Sequence, residues 1–156
     1  MRRFLVALAL LVPVATAASW LDSYAMDVES HSQKRIDAQR LFNSGWLPAF
    51  LPETAFDIWE LHNLDTNRTW ACFSAKSGAP EILAALSEAK AVKVPGPVDR
   101  EPPSRLFVTR SWWPSSMGEA HLDTYEIQEQ YGFALRFGID PRSSRACFSR
   151  GPRGTK

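Results

Sequence analysis

The sequence predicts an α+β fold: a single small domain with a mixed, mostly antiparallel sheet and two helices packed on one face. Three observations predict it. The 156 residues suit one domain. Apolar residues make up 45% and charged residues 22%, so the chain can build a core and is not broadly disordered. Two apolar stripes at helical spacing are interleaved with strands, and alternating segments dominate the C-terminal half. The resulting order is strand, helix, strand, helix and four further strands.

The chain opens on a targeting segment. Arg2 and Arg3 precede the apolar run Phe4 to Val14, and Ala15-Thr16-Ala17 is a small-x-small site that places cleavage between Ala17 and Ala18. Residues 1–17 therefore read as a signal peptide. The alternative is an uncleaved N-terminal anchor in the inner membrane, since the apolar character extends to Leu21; Pro13 and the Ala/Thr/Ser stretch count against a stable span. Without Arg2 and Arg3 the chain has 16 bases against 17 acids. The bases gather at the end: Arg142, Arg145, Arg150, Arg153 and Lys156 follow the last acid, Asp140. No aromatic stacking pattern accompanies them, so nucleic acid is not expected as a partner, and residues 151–156 read as a solvated basic tail.

Residues 18–33 read as a spacer or a short helix, with Trp20, Tyr24 and Val28 at helical spacing before a Ser-His-Ser-Gln break. The domain is expected over 34–150. Trp46 and Leu47 lead into its first strand, and Pro48 and Pro52 keep the following segment extended. Pro52 then opens a helix with Glu53 in its first turn, and Ala55, Ile58, Trp59 and His62 share one face. Asp65, Thr66 and Asn67 form the corner that ends this helix. Their short polar side chains bond nearby backbone, which makes a structural role the simpler account than ligand binding.

Arg68 to Lys76 alternates as a strand. Pro80 opens a second helix, striped by Ile82, Leu83, Leu86 and Ala89. Residues 94–104 hold four prolines and form the one obvious loop. Strands follow over 105–109, 123–129, 133–139 and 145–149, the last three as an antiparallel meander. The first strand–helix–strand unit is expected to be parallel and right-handed.

Cys72 and Cys147 are the only cysteines, and each sits in the same Ala-Cys-Phe-Ser tetrapeptide within a strand. An even count in an exported chain favours a disulfide; two separate buried thiols fit the sequence too, because spacing cannot show that the side chains face each other.

Catalytic motifs are weak throughout. The histidines are His31, His62 and His121, with no two-ligand helical spacing, so no metal or other cofactor is expected. Ser74, Ser111 and Cys72 are conceivable nucleophiles, but none lies in a G-x-S-x-G elbow. Asn67-Arg68-Thr69 fits a glycosylation sequon that its place at a corner explains without sugar. Of six tryptophans, the adjacent Trp112 and Trp113 would point to opposite faces of a strand, so one is the expected exposed anchor for a partner.

Gly45-Trp46-Leu47-Pro48, Leu51-Pro52, Ala55, Ile58, Asp65-Thr66-Asn67, Trp70 and Phe73 together resemble a family of short exported or membrane-tethered bacterial proteins of unknown function. The resemblance is specific over about thirty residues. It implies a single small α+β domain behind an export signal and supplies no activity. The chain lacks a lipobox cysteine after its apolar run, so the resemblance does not extend to a lipid anchor here. The expectation is an exported, periplasmic or secreted, non-enzymatic domain that binds another envelope protein or surface and touches the membrane only through an uncleaved N-terminus. A small inhibitor or immunity-type protein acting on a protein target is the alternative, and a hydrolase with an unrecognised site is the third.

Overall fold

In the computed structural model, residues 26–98, 102, 110–118, 122–140 and 144–152 are described. The signal segment with its Ala17–Ala18 cleavage site, the strand expected over 105–109, His121 and residues 153–156 of the tail lie outside them.

Seven strands form one antiparallel sheet: β1 (Asp27–Lys34), β2 (Phe56–Asn63), β3 (Arg68–Ser74), β4 (Val92–Val94), β5 (Asp123–Gln128), β6 (Phe133–Asp140) and β7 (Arg145–Pro152). Their order across the sheet is β1-β2-β3-β7-β6-β5-β4. Two meanders, β1–β3 and β4–β7, thus meet where β3 pairs with β7. Helical structure is minor. A 3₁₀ turn (Arg35–Ala38) runs into α1 (Gln39–Asn43), and α2 (Ala79–Glu88) crosses from β3 towards β4.

This overturns the expected α+β architecture. No pair of described strands is parallel, so the parallel first unit is absent. The helix expected from Pro52 to His62 is strand β2. Its misleading period has a physical origin. Asp57 sits at φ 49 where the β2–β3 register shifts between Phe56 and Trp59. Such a bulge resets the in/out alternation, which puts Ala55 and Ile58 in one core cluster and Trp59 beside the other. Beyond the bulge both faces are covered, so Glu60 to Asn63 are all buried and no strand alternation survives in the sequence. The first strand expected at Trp46–Leu47 is loop, and the segment read as spacer or short helix up to residue 33 contains strand β1.

Other expectations hold. β3, α2, β5, β6 and β7 fall where the patterning puts them, and β5–β6–β7 is the antiparallel meander. Pro80 lies in the first turn of α2, where its missing N–H is not needed. Ile82 and Leu86 bury its inner face, and Leu83 is left outside.

The sheet is covered on both sides. On one side Leu47, Leu51, Ile58, Phe73, Phe137 and Phe148 form a cluster beneath α2 and the loop after α1. On the other, Val98, Trp112, Trp113, Met117 and Leu122 pack over Leu61, Trp70, Cys72 and Cys147. β3 and β7 at the junction are therefore buried on both faces. There Cys72 and Cys147 are paired directly across the strands, with Cα atoms 4.0 Å apart, and form a disulfide. Of the two readings the sequence left open, the bonded one is the one the structure contains.

Candidate functional site

The site is assembled at one end of the sheet, where two hairpin turns and the loop after α1 converge. The β2–β3 turn is built around Asn63. Its Oδ1 accepts hydrogen bonds from the backbone N–H of Asp65 (3.1 Å) and Thr66 (2.9 Å) and from the Thr66 hydroxyl (2.9 Å). The corner expected at Asp65, Thr66 and Asn67 is thus a real structural joint, but it links strand to strand and its hub lies two residues earlier. Asn67 closes the turn at φ 52, a conformation that asparagine tolerates better than most residues.

The β5–β6 turn is less comfortable. Tyr131 adopts φ 60, ψ 24 and is 94% exposed, followed by Gly132 at φ 78. A bulky aromatic residue rarely occupies the left-handed region, where its Cβ crowds the backbone. The third wall is Ser44, Gly45 and Trp46. Arg150 of β7 ties the walls together: its Nε donates to Glu129 Oε2 (2.6 Å) and its Nη1 to the Gly45 carbonyl (3.3 Å). The half-open cleft between them measures about 370 Å³ and is lined by Ser44, Trp46, Asn67, Gln130, Tyr131, Phe133 and Arg150, within the size range of small-molecule sites.

Behind the cleft lies a buried polar row. The Trp46 ring stacks on the imidazole of His62 at 3.9 Å. His62 Nδ1 is 2.8 Å from Glu60 Oε1, and the Ser30 hydroxyl donates to Glu60 Oε2 at 3.2 Å. Burial pushes the Glu60 carboxyl up to about 8, with the charge of Glu29 reinforcing it and the Ser30 hydrogen bond opposing it. Burial lowers His62, countered by the charge of Asp27. The favoured state at neutral pH is therefore uncharged, with the Glu60 carboxyl donating to the imidazole. Ser30, Glu60 and His62 superficially suggest a triad, but the order is wrong. Nucleophilic catalysis needs the hydroxyl on the imidazole and the carboxylate beyond it; here the carboxyl sits between the two and is fully buried.

A second polar cluster lies on the opposite face. Asp57, turned outward by the bulge, accepts from Arg145 Nη1 (2.7 Å), His31 Nε2 (2.9 Å) and Trp59 Nε1 (3.0 Å). Burial raises its carboxyl, but these hydrogen bonds and the Arg145 charge outweigh that and hold it below the usual range. His31 stacks on Trp59 at 3.9 Å, and Trp59 faces Trp112 at 6.2 Å. Glu29 accepts from Trp112 Nε1 at 2.6 Å. The cluster clamps the segment carrying Trp112 onto β1 and β2, which accounts for its polar groups.

Trp112 and Trp113 do not provide the exposed anchor expected from their adjacency. Both are 8% exposed and both pack in the same cluster, because they lie on a turn and not on a strand. Cys72 is in the disulfide, and Ser74 lies at the end of β3, paired with Arg145. Among the described residues, no group of three or more His, Cys, Asp or Glu side chains is placed to hold a metal ion. The larger concavity, about 600 Å³ around Arg35, Glu53 and Lys76, sets its charges against one another: Arg35 pairs with Glu53, and nearby Glu81 is engaged by Thr54 and Ser77. We take the Trp46–Tyr131 cleft as the site. Sequence reasoning missed Tyr131 and Arg150; a tyrosine directly before glycine in a hairpin turn was the available signal.

Comparison with known proteins gives a partial match. Neither the curated proteins nor the solved structures contain a match to this chain. Residues 28–74, less than a third of the sequence, match the model of the YbbD head domain, a family of unknown function. The matched segment runs from β1 through α1 and β2 to the end of β3, and so contributes Ser44, Trp46 and Asn67 to the cleft, together with all of Ser30, Glu60 and His62.

Proposed function

We propose that the protein is a non-enzymatic binding domain of the bacterial cell envelope, exported by its N-terminal segment, that engages another envelope component at the Trp46–Tyr131 cleft. One observation carries this reading. Tyr131 holds an almost fully exposed aromatic ring on left-handed backbone at the rim of a cleft walled by Trp46, Phe133 and Arg150. Glycine or asparagine would build the same turn with less strain, so the turn itself does not need the ring, which is free to serve a partner. The disulfide is consistent with an extracytoplasmic location. Among the described residues no helix is long and apolar enough to cross a membrane.

The binding reading is preferred to a hydrolase because the polar groups nearest the cleft are arranged for stability. Glu60 is sealed, and the Arg150 guanidinium is held by Glu129 and Gly45. The test is affinity capture from envelope extracts with wild-type protein and Tyr131→Ala. A stoichiometric component retained by the wild type and lost from a folded Tyr131→Ala supports the reading. Equal capture by both removes the cleft from consideration.

A further inference from the structure

We infer that the Trp46–Tyr131 cleft takes a neutral carbohydrate, one or two sugar units of an envelope glycan; the inference rests on the binding reading above.

The chemistry of the lining selects this class. Three aromatic side chains, Trp46, Tyr131 and Phe133, stand among two primary amides, Asn67 and Gln130, and the Ser44 hydroxyl. A pyranose ring offers flat C–H faces that pack on aromatic rings, and hydroxyls that both donate and accept. Amides and hydroxyls have matching donors and acceptors. The lining contains no carboxylate, so nothing there selects a cation. Its one charge, Arg150, is already used: Glu129 accepts from Nε at 2.6 Å, Gly45 from Nη1 at 3.3 Å, and the guanidinium lies 5.8 Å from the Phe133 ring centre. An anionic ligand would have to compete with Glu129 for it, at the loss of a charge-assisted hydrogen bond.

A peptide fits the same cleft poorly. One common way for a peptide to bind a β protein is to add a strand to a free sheet edge. Beneath this cleft β7 is paired on both sides, to β3 and to β6, and β6 is paired to β5. The ladder donors and acceptors are therefore occupied, and only side chains and turns face the ligand. The volume of about 370 Å³ limits the contact to a short stretch of chain.

Saturation-transfer NMR on the purified protein tests the inference, with chitotetraose and maltotetraose as probes and trialanine as the peptide control. Transfer to the ring protons of at least one sugar is expected, with none to trialanine. Removing one stacked ring is worth roughly tenfold in affinity, so Tyr131→Ala should weaken sugar binding by about that factor while Tyr131→Phe retains it. Because Tyr131 is 94% exposed, the variants keep the fold. Transfer to trialanine in place of either sugar, no transfer to either sugar, or undiminished sugar binding by Tyr131→Ala overturns the inference. If the sugars fail while Tyr131→Ala still loses its captured component, the ligand is not a glycan and the binding reading stands; if capture too is unaffected, both fall.

Discussion

Glu60 is the most unusual single residue in the chain: an acid with no solvent exposure that nevertheless has a partner on each carboxyl oxygen. A buried carboxyl resists ionisation because the charged form loses its hydration, and burial also disfavours the protonated form of the neighbouring His62 imidazole that could compensate it. The consequence for stability has a definite sign. The unfolded carboxyl releases its proton near 4.5, and the folded one holds it to about 8. Between those values the folded state binds more protons, so this contribution is full below 4.5 and is lost as pH rises towards 8, by about 1.4 kcal/mol per pH unit. His62 works the other way. Its folded value is depressed from 6.5, so stability is lost as pH falls below 6.5. The two slopes oppose each other in the acidic range and leave the Glu60 term clear between 6.5 and 8. Glu60→Gln keeps the shape and hydrogen-bonding capacity but cannot titrate. Urea denaturation across that interval should show the wild type losing stability with rising pH and the variant nearly flat. Parallel curves for the two proteins would show that the carboxyl ionises normally.

At the scale of elements, two sites show how closely the sheet and its coverings are fitted. Gly138 of β6 lies beneath the segment that covers the second face. A Cβ placed there would come within 2.5 Å of Val98 Cγ2 and 2.9 Å of Met117 Sδ. Gly138→Ala should therefore cost about 1–3 kcal/mol through overpacking, and a shift in tryptophan fluorescence from Trp112 and Trp113 should accompany it. Unchanged stability would mean that this covering segment is not firmly seated. The β5–β6 turn poses the opposite problem. Left-handed backbone costs an L-residue about 1–2 kcal/mol, whereas glycine adopts it freely but loses about 0.5–1 kcal/mol of chain entropy on folding. Tyr131→Gly should therefore raise stability by roughly 0.5–1 kcal/mol, visible in a thermal melt, while abolishing capture of the envelope component. A variant that melts lower than wild type would assign Tyr131 a structural role and remove the main support for the proposed site. These elements also mark what was legible in the sequence. β3, β5, β6, β7 and the Pro80 helix were readable because their apolar residues keep an unbroken period between clear turn signals. β2 was not, because the Asp57 bulge and double-sided burial erased its period. β1 was not either, because its sequence, Asp27 to Lys34, is polar throughout except for Val28, as an edge strand that avoids sticking to other chains can be. For the site, the sequence offered Asn67 only as part of a structural corner and Trp46 only as the start of a strand. It did not point to Arg150 or Tyr131, since only the β3–β7–β6 pairing brings the C-terminal half alongside Trp46 and Asn67.

That pairing is also what makes one molecule of two meanders. Strands β1–β3 can form from neighbouring hairpins, and so can β4–β7, but β3 must find β7 across a separation of 75 residues between the bonded cysteines. Such non-local pairing is entropically expensive and slow to form. The interface relies on Ala71 and Phe73 facing Phe148 and Ala146, with Cys72 opposite Cys147, all of them at most 1% exposed. The cleft depends on the same junction, because Trp46 and Asn67 belong to the first meander and Tyr131, Phe133 and Arg150 to the second. The disulfide locks this joint at its centre, and in the chain-entropy model a loop of that length is worth roughly 4 kcal/mol. The double variant Cys72→Ala, Cys147→Ala should lose stability on that order in chemical denaturation and become insensitive to reductant, while the native wild type should resist thiol labelling until reduced. In the variant, sugar binding should decline together with the folded fraction, since both halves of the cleft separate when β3 leaves β7. A variant as stable as the oxidised wild type would mean that strand pairing alone holds the meanders together, and ready labelling of the untreated wild type would mean that the bond is not formed.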